Sequence, residues 1–513
     1  MRDSDRRAAP ASAGGETWRN WAGNQSARPR RMASPRSAEE VADEVRRAAA
    51  DGLTVRMAGT GHSFTPAAVT DGVLLRPGAL ARIRSVDAAA GLVTAEAGCP
   101  LRVLNAELLA RGLSLANMGD IQVQTVAGAI QTGTHGTGRD VGGMAAQVAG
   151  LELVLADGTI VTCSAGACET PAPAGNALAS SGSAPPSSGS APPSPGPAPA
   201  SSSNAPPSPG PAPASSSNAP PSPGPAPAFP GPAAPPPGLF DAARVGLGAL
   251  GILTAVTFRV VPSFLLEARE EPMRWSEVIS RLDELTSANE HFEFYWFPHT
   301  EGCLTKRNNR SAGPPRPLPR MRYLLDDEFL SNTVFGATCR LGHLVPAAIK
   351  PVNALAGKAL GSRTYVDAAY RVFTSPRRVR FKEQEYAIPR ESLADVLAEV
   401  RTLFARRDWR ISFPIEVRVT PGDDPWLSTA YRRDSAYIAI HVFHASPHQE
   451  YFRDVEAVMI AAGGRPHWGK MHTVGAEYLG QAYPKHGDFV ALRDELDPER
   501  RFGNAYLAQV LGP

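Results

Sequence analysis

Lysine is scarce in this chain. Only Lys306, Lys350, Lys358, Lys382, Lys470 and Lys485 stand among 52 basic residues; the other 46 are arginines, a bias consistent with a GC-rich coding sequence. Net charge is also nearly absent: the formal value is +2, so no basic footprint for nucleic acid is visible. Cysteine is sparse. Cys99, Cys163, Cys168, Cys303 and Cys339 are odd in number and contain no CxxC pair, so neither a disulfide framework nor a zinc site is expected. No apolar run reaches the length of a membrane span. The first 17 residues lack the apolar core of a signal peptide, and Arg6-Arg7 followed by Ala, Pro, Ser and Gly is a poor twin-arginine signal. The expectation is a cytoplasmic protein. At 43% hydrophobic over 513 residues, the chain can bury one large core or two ordinary ones.

What is present is glycine in informative places. A short apolar run at residues 53–57 reads as a strand and leads into Ala58-Gly59-Thr60-Gly61-His62-Ser63-Phe64. Glycines one residue apart let backbone turn tightly against a ligand, and successive N–H groups in such a turn form a concave anion site suited to a diphosphate. Phosphate binding does not require His62. Either it is incidental to a glycine turn, or the loop is a flavin site with His62 bonded to the ring. Before the loop, Ser37 and Glu40 read as a capping pair, with Val41 and Val45 on the helix's apolar face. Residues 101–111 read as a helix closed by Gly112.

A second stretch, residues 117–138, is too rich in Gly and Thr for a helix and too polar for a buried strand. Its small residues, among them Gly128 and Thr134-His135-Gly136-Thr137-Gly138, suit backbone laid against a planar ligand. Residues 151–162 form a hairpin signature about Asp157-Gly158. Beyond residue 238, Gly246 to Gly251 spells GxGxxG, but a helix-like run precedes it and a strand follows. The dinucleotide fingerprint needs the reverse order, so a Rossmann site is rejected.

Between these lies a tract of another kind, 169–238. A 14-residue Pro/Ala/Ser/Gly/Asn unit occupies 191–204, repeats at 205–218 and recurs truncated at 219–228. Such a composition cannot bury a core and is expected to be disordered. It is either a docking tract for a Pro-binding partner or a repeat expansion without function.

From about residue 262 the pattern becomes α+β. Strands are expected at 292–297, 384–388, 415–420 and 437–443, and helices at 275–287, 390–406 and 448–462, giving one antiparallel sheet covered on one face. In Ile415-Glu416-Val417-Arg418-Val419 the alternation puts Glu416 and Arg418 on the face opposite the apolar residues. A solvated ion pair is the plain reading, but Tyr437, Ala439, His441 and Phe443 alternate similarly, so that face is not simply charged. His467-Trp468-Gly469-Lys470-Met471-His472 is a loop whose histidines are poorly spaced for a metal.

The loop ending in His62, the segment ending in Thr134–Gly138, and the Asp-Gly hairpin occur in an order that resembles the FAD domain of the sugar-lactone and alditol oxidases, within the vanillyl-alcohol-oxidase flavoprotein superfamily. The likeness covers nearly everything outside the tail and the tract. It implies an α+β, two-domain FAD-binding fold with an α+β cap over the flavin. The parts are a tail (1–17), an FAD-binding domain (18–168 and 239–262) interrupted by the insertion (169–238), a cap (263–465) and a returning C-terminal segment (466–513). The resemblance implies FAD, joined covalently through His62 and held by Gly59, Thr60, Gly61, Ser63, Phe64, Gly128, Thr134, His135, Gly136, Thr137 and Gly138. It implies that Glu416, Arg418 and Lys470 are catalytic, and, weakly, that Thr125 contacts substrate. The implied reaction is oxidation of a sugar lactone or polyol, with oxygen as acceptor and no metal. Two alternatives stay open: a same-fold dehydrogenase serving a quinone or cytochrome, and a flavin-fold interaction protein with vestigial activity.

Overall fold

The computed structural model describes residues 16–170 and 235–513. The Pro-rich repeats, and the disorder and partner expected of them, lie outside the described residues.

The first part carries two main sheets. Strands Arg31–Ala33, Val73–Leu75 and Val55–Met57 form a parallel sheet in that spatial order. Helix Ala38–Ala50 starts where expected: the Ser37 side chain accepts from the Glu40 N–H, and Glu40 accepts from the Arg36 N–H. Its Val41 and Val45 pack with Val55, Val73, Leu75, Ile252 and Phe502, seating the strand that feeds the glycine loop. The second sheet is antiparallel, in the order Ala167–Glu169, Ile160–Ser164, Val148–Val154, Ile252–Arg259, Leu92–Glu96, Ile83–Asp87. Strand Ile252–Arg259, which follows the insertion in sequence, lies inside this sheet, paired on both edges.

Two expectations need correction. Residues 117–138 contain a helix, Val126–Gln131, because Thr125 caps it by accepting from the Gly128 N–H at 3.2 Å. Cys163 and Cys168, opposite one another across the last hairpin, form a disulfide; their spacing of five hides a direct cross-strand pair.

The second part is an eight-stranded antiparallel sheet in the order Arg363–Ala368, Leu265–Arg274, Gly302–Ser311, His291–Trp296, Ile415–Thr420, Ser435–Phe443, Phe381–Pro389, Arg465–Pro466. Helices Leu393–Arg406 and Gln449–Ala461, with Trp275–Ser280 and Leu282–Ser287, bury one face against Ile415, Val417, Val419, Ile438 and Ile440. The single helix expected over 275–287 breaks at Arg281. Residues 320–358, for which no helix was expected, are largely helical and carry most of the exposed large apolar side chains. The other sheet face is turned toward the glycine loop. Among the described residues no helix is long and apolar enough to cross a membrane.

Candidate active site

Strand Val55–Met57 ends in a loop with Gly61 at φ +75°, a backbone conformation that favours glycine. At Gly59 a Cβ would stand 2.4 Å from Thr125 Oγ1. The loop borders a cavity of about 910 Å³ including its open mouth, whose other walls come from Thr125, Gly128, Leu247 and Gly248. Ala58 N–H donates to Leu75 O at 3.0 Å and Phe64 N–H to Gly469 O at 2.7 Å. Between them, the N–H groups of Gly59, Thr60, Gly61, His62 and Ser63 meet no protein acceptor among the described residues. Five adjacent unpartnered donors on a cavity wall call for an anionic ligand. FAD fits this cradle in the close backbone approach and in its diphosphate.

His62 lies at the end of this row, its ring stacked on Trp21 with centroids 5.3 Å apart. Burial first, and Lys470 second, push its pKa down to about 4 against an opposing pull from Asp120, so the ring is neutral near pH 7. Arg56 fixes the strand behind the loop. Its guanidinium donates to Ala67 O (2.8 Å), Leu247 O (2.6 Å), Gly248 O (2.8 Å) and Phe502 O (2.7 Å), tying three other segments to this strand.

Thr134 to Gly138 lies against the cap sheet. Gly138 N–H donates to Val419 O at 2.8 Å, Thr137 Oγ1 donates to Val419 O and Phe292 O, and a Cβ on Gly136 would stand 2.3 Å from Met118 O. Thr134 accepts from Gln124 Nε2 at 3.0 Å, and the His135 ring stacks on Tyr437. Thr125 borders the cavity, its hydroxyl engaged as the helix cap.

On the facing sheet, Glu416 and Arg418 are buried and in contact. Arg418 Nε donates to Glu293 at 3.0 Å and Tyr295 OH donates to Glu416 at 2.8 Å. Burial raises the Glu416 carboxyl, with Arg418 opposing; the Arg418 guanidinium, despite burial, is held protonated by Glu416, Glu293 and Asp120. Asp120, 3.8 Å from Arg418, accepts from Arg377 at 2.8 Å; burial would raise it, but Arg377, Arg418 and Lys470 hold it well below the usual carboxylate range. Lys470 comes from the other side, in contact with Glu383 and with its ammonium 5.6 Å from the Phe64 ring centroid. His62, Asp120, Arg418, Glu416 and Lys470 thus come together from four segments.

Sequence reasoning missed Asp120, Glu293, Tyr295, Arg377, Glu383 and Glu385. For Glu293 and Tyr295 the signal was there: in Phe292-Glu293-Phe294-Tyr295 they alternate with apolar residues as Glu416 and Arg418 do. Asp120 and Arg377 sit in irregular segments 257 residues apart, where no period links them.

Known proteins give the same picture. The description "FAD binding domain" matches residues 29–164 and "D-arabinono-1,4-lactone oxidase" matches residues 256–510. The chain is 36% identical to an L-gulono-1,4-lactone dehydrogenase of Mycobacterium tuberculosis over 97% of this chain and 99% of the relative. It is 29% identical to the L-gulonolactone oxidase of Bos taurus, over 97% and 98%, and 27% identical to an alditol oxidase of Streptomyces, over 96% and 98%. Among solved structures, cholesterol oxidase from Brevibacterium sterolicum shares the fold: TM-score 0.67, 16% identity, 100% of this chain and 99% of that one. The α+β architecture is therefore a two-domain FAD-binding fold, and the chain belongs to the sugar-lactone and alditol oxidase family.

Proposed function

We propose that this chain oxidises a CH–OH carbon of a sugar 1,4-lactone, with polyols as the neighbouring substrate class, and that oxygen receives the electrons and leaves as hydrogen peroxide. FAD, when bound, supplies the acceptor for the carbinol hydride. The observation that carries the reading is the row of unpartnered amides from Gly59 to Ser63 beside Lys470 and the Glu416–Arg418 pair.

The chain's own groups then have distinct tasks. The Gly59–Ser63 amides hold the diphosphate. His62 would be the attachment residue for bound flavin: its neutral ring offers the lone pair, the 8α carbon would give up a C–H bond, and oxygen would take up the two electrons released. Arg418 offers a fixed positive charge where negative charge develops on reduction, and preorganised charge of this kind is worth roughly 3–4 kcal/mol. Glu416 orients Arg418 and accepts from substrate hydroxyls. Lys470 donates to the oxygen of the reacting carbon, whose hydroxyl proton passes to solvent as the carbinol hydride leaves. Thr125 sits on the cofactor side of this arrangement, with its hydroxyl proton available to a ligand.

A second reading, a dehydrogenase that passes electrons to another acceptor, is favoured by one finding: the 36% identical relative is a dehydrogenase, whereas the relatives at 29% and 27% are oxidases. One experiment addresses both. Purified FAD-loaded protein is mixed anaerobically with L-gulono-1,4-lactone, D-arabinono-1,4-lactone and xylitol, then exposed to air or to an artificial acceptor. Bleaching by a lactone with peroxide formed in air supports the oxidase; bleaching without rapid reoxidation in air supports the dehydrogenase. No bleaching by any of the three would remove the proposal.

A further inference from the structure

The cap sheet's inner face carries two further carboxylates, Glu383 and Glu385, that no step above uses. On strand Phe381–Pro389 the period of two turns Glu383 and Glu385 to the same side. Lys470 Nζ contacts Glu383 Oε2 and lies 3.9 Å from Glu385 Oε2. Beyond each carboxylate stands a histidine: His441 Nε2 is 3.4 Å from Glu383 Oε1, and His135 Nε2 is 3.3 Å from Glu385 Oε1. The other ring nitrogen of each histidine faces a backbone carbonyl, Pro414 O at 3.3 Å for His441 and Gly136 O at 2.9 Å for His135. A carbonyl oxygen only accepts, so each Nδ1 carries a proton. Each Nε2 lies on the side of a carboxylate. The result is a row of facing groups: His441, Glu383, Lys470, Glu385, His135.

A metal site is the competing reading, since His135, Glu385 and His467 bring potential ligand atoms within 4.8 Å of one another. The bonding argues against it. His467 Nδ1 accepts from the Gly469 N–H at 3.0 Å, and both His135 nitrogens are engaged. The Lys470 ammonium already occupies the neighbourhood of the same carboxylate.

We infer that Glu383 and Glu385 are positioning residues that hold Lys470 as a fixed ammonium donor, anchored from outside by His441 and His135. The inference rests on the lactone-oxidation reading, in which Lys470 meets the reacting oxygen. An ammonium has three donors and no lone pair, so Lys470 can stabilise an oxygen but cannot take its proton. Other groups facing it are Asp120 from the segment after Met118, His62 from the glycine loop and His467 from its own loop. Burial alone would discharge the amine, and the two glutamates with Asp120 outweigh it. Burial likewise favours protonated carboxyls, but Lys470 with His441 keeps Glu383 ionised, and His135 with Lys470 keeps Glu385 so.

The test compares FAD-loaded wild type with Glu383→Gln, Glu385→Gln and the double variant. Two readouts are followed against pH: competitive labelling of Lys470 by acetic anhydride, read by mass spectrometry, and anaerobic flavin reduction by L-gulono-1,4-lactone. In the double variant, labelling and loss of reduction rate should share a midpoint at least about one pH unit below wild type, on the scale of removing a close opposite charge. Glu383→Asp, which keeps the charge, should restore the wild-type profile. If the double variant does not fold, the single variants should show smaller shifts in the same direction. An unchanged labelling midpoint would overturn the inference. A shifted midpoint in a protein that no lactone reduces would keep the clamp and remove the lactone reading instead.

Discussion

At the scale of single residues, neutral rings in charged surroundings leave measurable signatures. His62 is expected to retain flavin through denaturation: SDS-treated protein should fluoresce on a gel, and intact mass should exceed the sequence mass by one FAD. His62→Ala should still bind FAD through the Gly59–Ser63 amides, but release it on unfolding and turn over more slowly. Complete release from denatured wild type would end the covalent assignment. His467 is pushed down to about 3 by burial, with Lys470 and His135 adding to the effect and Glu385 opposing it. An unfolded histidine titrates near 6.5. Between those values the unfolded chain binds a proton that the folded chain does not. The stabilising contribution is therefore whole above about pH 6.5 and is lost as pH falls toward 3, at up to about 1.4 kcal/mol per pH unit. Urea midpoints at pH 7.5, 6 and 5 should fall more steeply for wild type than for His467→Gln; parallel curves would contradict this. At this scale the sequence made the Glu416–Arg418 face legible, because alternation along a strand is a local property. It left Asp120 and Arg377 unread, and the contacts of His135 and His441 with Glu385 and Glu383, because these depend on partners that only the folded chain supplies.

Elements are joined here by side chains that satisfy backbone. Arg56 leaves its strand to serve carbonyls of the Pro66–Ala68 turn, the Leu247–Gly248 segment and the Phe502 turn. Asn504 repeats the device, donating to Pro66 O (3.0 Å), Ala67 O (3.2 Å) and Val69 O (2.9 Å) while capping the last helix. Arg56→Met keeps the aliphatic stem but leaves four carbonyls without that donor. With each lost buried partner costing about 1–3 kcal/mol, destabilisation of at least about 3 kcal/mol is expected, together with weaker FAD retention. A urea midpoint close to wild type would show that water replaces the guanidinium. Some strands and long helices were legible because their periods span many residues: the cap strands expected at 292–297, 384–388, 415–420 and 437–443 and helix Ala38–Ala50 fall where alternation and capping place them. The other four strands of the cap sheet, Leu265–Arg274, Gly302–Ser311, Arg363–Ala368 and Arg465–Pro466, were not anticipated. Helix Val126–Gln131 was not, since six residues hold less than two turns and its glycine and threonine neighbours argue for loop. Helices between 320 and 358 were also missed: several large apolar side chains there, such as Met321, Leu344 and Leu355, stay exposed, so the apolar pattern does not trace one buried face.

At the scale of the whole molecule, the tract and the body follow different physics. The strand that completes the antiparallel sheet, Ile252–Arg259, enters after the tract and pairs with Val148–Val154 on one edge and Leu92–Glu96 on the other. Folding of the first part must therefore join segments separated by the whole insertion. Were the tract the flexible chain that its composition predicts, its closure cost would grow only as the logarithm of its length, about 0.6 kcal/mol per doubling, so that shortening it would change the body's stability little. Deleting residues 175–230 removes the repeats and leaves both the last hairpin and helix Leu239–Ala243 intact. The shortened protein is expected to fold, carry stoichiometric FAD and be equally or slightly more stable, within about 1 kcal/mol by the same logarithmic scaling. The measurements are flavin absorbance per chain and the urea midpoint, with the lactone-dependent rate as a third readout. Loss of flavin or solubility on deletion would mean that the tract contacts the body in a way its composition does not disclose. A loss of rate alone, with flavin and stability intact, would point to a role for the repeats at the cap.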